Sequence, residues 1–182
     1  MAGGGAILLG AIAWRTHNRL VALDERCRSA FADVDALLKH RHSVLPNLVE
    51  TVRGYMNHER GVITDVLNAS VAAAHAVDVN MRGRSEGRLS QSINTLIASA
   101  ENYPELIVSA DFRTMRAELL DMENRITAAR RYHNLTVNEL NATARQFPGS
   151  LIAGMTRVGR REPFDLGLDR MLIDEPQAIS FS

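Results

Sequence analysis

A line of residues spaced alternately three and four apart governs what this chain can become. It reads Leu20, Leu23, Cys27, Ala30, Val34, Leu37, Arg41, Val44, Leu48, Thr51, Tyr55. Only an α-helix brings such positions onto one face. Phe31, Leu38, Leu45 and Val52 widen the stripe to the breadth of a bundle helix. Two residues fit the pattern badly. Pro46 has no amide proton for the carbonyl of His42 and its ring pushes on that carbonyl, a penalty of about 3 kcal/mol in an isolated helix. The pattern therefore predicts a break or a kink there, the kink surviving if a side chain or water satisfies the carbonyl. Asn47 and the neighbouring bases are candidates. Arg41 occupies a seam position, where an unpaired buried charge is prohibitive.

Two later segments offer Arg41 a partner: "ENYP" and "MEN" set Glu101 beside Asn102 and Glu123 beside Asn124. Arg41 is expected to pair with one of these glutamates, supported by Asn47 and Tyr103. Such a cluster reads as a polar layer that fixes helix register. No nucleophile with an adjacent base stands out, and "RGRSEGR" matches no phosphate-loop motif.

A second long seam runs Phe112, Met115, Leu119, Met122, Ile126, Ala129, His133, Val137, Leu140, Ala144, Phe147, and "FPG" ends it. Between the two lie an alanine-rich helix over about residues 58–77, a loop at "DVNMRGRSEGR", and a short helix from Ser90 to about Ala100 that "ENYPEL" interrupts. Aromatics are 5% of the chain, too few for a β-sandwich. The expected fold is all-α: an elongated antiparallel bundle of four-helix type over residues 15–149, with long first and last helices. Residues 150–182 read as a docking strap and a loose tail.

At the start, "MAGGGAILLGAIAW" carries no charge before Arg15. The bases follow the apolar run and no small-residue cleavage site ends it, which argues against a signal peptide. Residues 1–14 are expected to form a short membrane anchor, although about 14 apolar residues fall short of the roughly 20 that span a bilayer. Trp14, Arg15 and Arg19 suit the membrane interface. Ala2, Ala6 and Gly10 recur every four residues, a close-packing face between helices. Bases only after the run put the bulk of the chain on the cytoplasmic side.

Other chemistry finds little support. Lysine plus arginine and aspartate plus glutamate both total 21, so net charge points to no nucleic acid. A single cysteine, Cys27, excludes an internal disulfide framework and a cysteine-ligated zinc site. The six histidines lack zinc-protease spacing. No metal, cofactor or catalytic residue is expected.

The segments "LKHRHSVLPNLVETVRGYMNHE", "ENYPEL", "MENRITAARRYHNLTVNELN" and "FPGSLIAG" followed by "PF" resemble, in order, the blocks of the LemA family, over about residues 17–165. The resemblance implies an N-terminal membrane helix before a long helical bundle, and no established catalytic activity. This chain departs where the family usually has Tyr-Asn: here His17-Asn18, His133-Asn134 and Leu140-Asn141 keep the asparagine and replace the ring. The function expected is a non-enzymatic scaffold or adaptor at a bacterial inner membrane, contacting lipid and self-associating through its anchor and long helices. The alternatives are a hydrolase-like enzyme using the Arg-Glu-Asn cluster, or a monomeric protein-binding module recognised through its tail.

Overall fold

The computed structural model describes residues 2–56, 58–156 and 158–164, with side chains from Ile7 onward. The described residues are all-α, without strands. Six helices follow one another: α1 (Ala2–Arg53), α2 (Arg60–Ala74), α3 (Val79–Ala100), α4 (Pro104–Val108), α5 (Ala110–Arg145) and α6 (Gly149–Met155). The described chain divides into two compact units, one within residues 2–41 and 122–163, the other within residues 42–121 with Phe164.

The first unit is built on α1 and α5. Ion pairs at Arg19–Glu139 and Arg41–Glu123 show the two helices antiparallel, since the partner number falls as the first rises. Leu20, Leu23 and Cys27 pack with Val137 and Leu140, and Ala144, Ile152, Ala153 and Val158 close over them. Burying such side chains is worth about 1.5–3 kcal/mol each. In the second unit α2 packs on α3, and Val66, Ala73, Leu89, Ile93 and Leu96 are buried.

The buried line of α1 departs from the heptad pattern. After Val34 it passes to Leu38, Arg41, Leu45, Leu48 and Val52, while Leu37, Val44 and Thr51 are half-buried and Tyr55 is exposed. Two consecutive steps of four make a stutter, which returns the stripe toward the period of a straight helix. On the second seam Phe112 through Leu140 lie at buried or half-buried positions, but Phe147 is 80% exposed. The chain leaves the helix after Arg145, so Phe147 no longer follows the seam.

Two further expectations are corrected. The segment read as a loop is the start of α3. Asp78 caps it by accepting from the amide of Met81 at 2.6 Å, and Gly83 and Glu86 face inward. Nor do the described residues hold a separate membrane helix at the start of the chain: residues 2–14 form the first turns of α1, which continues unbroken through Pro46. No helix among the described residues is long and apolar enough to cross a membrane. The apolar run of α1 stops at Trp14 because Arg15 and Arg19 follow within two turns.

Candidate functional site

Three polar constellations and one apolar surface stand out from this frame. Arg41 is 1% exposed and donates from Nη1 to Glu123 Oε2 at 2.7 Å. Of the two glutamates the sequence left open, Glu123 is the one Arg41 meets, and its side chain is 35% exposed. The pair therefore joins a guanidinium without water to a carboxylate that keeps some. Asn47, Glu101, Asn102 and Asn124 are exposed, and Tyr103 is half-buried as the residue preceding α4. Asn102 and Tyr103 line a surface cleft with Gly54, Tyr55, Pro104 and Glu105.

The second constellation was invisible in the sequence. His42 of α1 lies 3.0 Å from Ser70 Oγ of α2 through Nδ1 and 3.0 Å from Glu86 Oε1 of α3 through Nε2. With its proton on Nε2 the ring donates to Glu86 and accepts from the Ser70 hydroxyl. Glu86 is buried, and the ring is the more accessible of the two. A serine, a histidine and a carboxylate in line match the order of a nucleophilic relay. This corrects the expectation that no nucleophile stands beside a base. Ser70, however, lies inside α2, where backbone amides are engaged by the carbonyls four residues back. The amides of its own helix are therefore engaged and not turned toward a bound oxyanion. The three residues stand on three helices with no shared motif, so nothing in the sequence joined them.

The third constellation fastens the segment after α6. Asn141 donates from Nδ2 to the carbonyl of Arg161 at 2.9 Å and accepts from its amide at 3.1 Å. The Arg161 Nε donates to Asp24 Oδ1 at 2.7 Å. That bond holds the Asp24 carboxyl below the usual carboxylate range and pushes the Arg161 guanidinium up. Asn141 is one of the asparagines that remain where the ring before it is replaced, and its two-sided backbone pairing needs an amide. Nearby, burial lowers the His133 imidazole below its ordinary value and raises the Cys27 thiol. The ring of His133 meets Phe31 edge-on at 5.8 Å.

The apolar surface is the start of α1. Ile7 is 76% exposed, Leu9 68% and Trp14 68%, and Leu8 and Ile12 are exposed as well. At about 100° per residue these positions span about 220° of the helix, and the exposed Gly10 and Ala13 occupy the rest. Gly10 is open, with nothing near the place of an added side chain. The side chains of Ala2 and Ala6, the rest of the expected packing face, lie outside the described residues, as do residues 165–182 of the tail. Arg15 and Arg19 follow the run, beside Thr16 and Asn18 in a shallow polar cleft. Among the described residues no group of three or more His, Cys, Asp or Glu can hold a metal ion.

No curated protein matches the chain. The sequence pattern of the LemA family matches residues 30–181, most of the chain, and the chain belongs to that family.

Proposed function

We propose that this protein is a non-catalytic helical scaffold, held at a bilayer by the start of α1 and associating with copies of itself. The observation that carries the reading is that every residue from Ile7 to Trp14 is apolar and exposed, five of them with large side chains over about 220° of α1 and Gly10 and Ala13 on the remainder. A protein partner covers a stripe of a helix; hydrocarbon covers it on all sides. Each such side chain gains up to about 1.5–3 kcal/mol from full burial, so this segment favours an apolar medium over water.

Trp14 then sits at the interface, with Arg15 and Arg19 among the headgroups. Thirteen helical residues reach about 20 Å, against a hydrocarbon core of about 30 Å. The segment enters the bilayer without crossing it alone, and the mismatch is relieved by thinning or by gathering several copies. Bases only after the apolar run favour a cytoplasmic bulk at a bacterial inner membrane. The non-catalytic part of the reading is supported by the placement of Ser70 inside α2.

Deleting residues 1–14 tests the reading. The truncated chain should move from the membrane pellet to the soluble fraction with nearly unchanged helical circular dichroism. A truncated chain that still pellets with membranes would place the attachment elsewhere.

A further inference from the structure

The geometry points to a second bilayer contact in this protein, a hook formed by Phe147 and α6 that lies in the headgroup region beside the start of α1. It rests on the bilayer reading above and names a surface that reading does not need. Phe147 is 80% exposed, Leu151 62% and Met155 88%. They are spaced four apart, and the last two share one face of α6 while Ile152 and Ala153 turn inward onto the core of Leu20, Leu23 and Leu140. A helix this short has no stability of its own, so its position comes from the packing of its inner face.

Gly149 fixes that seat. A Cβ there would collide with the backbone carbonyl of Thr143, so only glycine lets α6 fold back this closely on α5. Ser150 and Ile152 amides donate to the carbonyls of Gln146 and Pro148, which closes the corner. The three large apolar side chains are thus held outward by a built turn.

What covers them follows from the register of α1 and α5. Glu139 pairs with Arg19 and His133 meets Phe31, so residue numbers on α5 fall as those on α1 rise. Continued at about 1.5 Å per residue, this register brings Phe147 to about the level of Trp14. The inner face of α6 lies against Leu20 and Leu23, within two turns beyond Arg15 and Arg19. The exposed face of the hook therefore lies where the apolar run ends and the bases begin. Arg145, two residues before Phe147, is exposed and adds to the positive charge of Arg15 and Arg19 at this level. A lone patch of this kind on a helix side has many possible occupants; at this level, with this charge, it fits an anionic phospholipid surface.

Depth measurement separates this proposal from the reading beneath it. Leu151→Cys and Leu9→Cys, both at exposed positions, carry an environment-sensitive fluorophore in the full chain; Cys27 is buried and stays unlabelled. Each is mixed with vesicles containing about a third phosphatidylglycerol and lipids spin-labelled at shallow or deep acyl positions. Quenching at position 151 by shallow labels, with deeper quenching at position 9, is the expected result. Quenching at position 9 alone overturns the hook and leaves the anchor standing. Quenching at neither overturns both. If the position-151 fluorophore is buried equally without lipid, at concentrations where copies associate, its occupant is a second copy and the proposal fails. As a second arm, Leu151→Asp combined with Met155→Asp should lower vesicle partitioning about tenfold with circular dichroism unchanged; unchanged partitioning contradicts the hook.

Discussion

Arg41 and Glu123 are an asymmetric pair, and the asymmetry decides what each substitution does. The guanidinium is buried while the carboxylate is partly solvated. Removing Arg41 leaves a glutamate that water can still reach. Removing Glu123 takes a carboxylate 2.7 Å from Nη1 away from a cation that water cannot reach, the costlier side of the pair. Glu123→Ala is therefore expected to destabilise by about 2–4 kcal/mol, with partial exposure favouring the low end. Arg41→Met should cost less, and the two together less than their sum. Urea unfolding of the two single variants and the double variant measures this, and additive effects would contradict the coupling. His133 sets a second expectation. Its folded value is depressed by burial, so the unfolded chain binds the proton more readily. The linked stability is fully present above the ordinary imidazole value and is lost as pH falls through the depressed one. Urea midpoints should thus decline on going from about pH 7.5 to 5.5, and His133→Gln should flatten that decline. Asp24, also depressed, acts in the same direction at lower pH, through its bond to Arg161. Arg41 was legible in the sequence because a charge on an apolar seam announces a partner. Asp24, Asn141 and Arg161 were not, because each looks like an ordinary surface residue until the chain turns back after α6.

At the scale of elements, the long helices were readable and the turns between them less so. Period alone marks α1 and α5, and "FPG" marks the end of α5 because proline and glycine cannot continue it. The start of α3 was misread because two glycines and several charges resemble a loop, whereas Asp78 supplies a cap and Gly83 a close inner face. Cap and loop use the same residue types, and only packing tells them apart. Pro46 is the opposite case: a residue that signals a break stands on the exposed side of a helix that continues. Nothing on that face packs against its ring tightly enough to exclude water. Pro46→Ala restores the amide for the His42 carbonyl and should therefore stabilise the protein, by up to about 3 kcal/mol. Thermal unfolding followed by circular dichroism checks it; a lower midpoint would show that the proline shapes α1 in a way the packing needs.

At the scale of the whole molecule, the proposal of a bilayer contact and of association between copies rests on a helix start that is apolar on every exposed side. In the proposed assembly, Ala6 and Gly10 form the face through which copies pack. Ala6→Leu with Gly10→Leu should then break large detergent-solubilised particles into small ones while the helices remain folded. Light scattering that shows monomers for the parent chain, or unchanged large particles for the variant, would rule against association through this face. The bilayer contact itself has a built-in reporter, because Trp14 is the chain's single tryptophan and stands at the proposed interface. Its fluorescence, recorded on the unlabelled full chain with and without anionic vesicles, tests the central claim most directly. Emission should move to shorter wavelength on vesicle addition and be quenched by lipids brominated near the headgroup end of their chains. A spectrum that stays where it was in buffer, unquenched by those lipids, would contradict it.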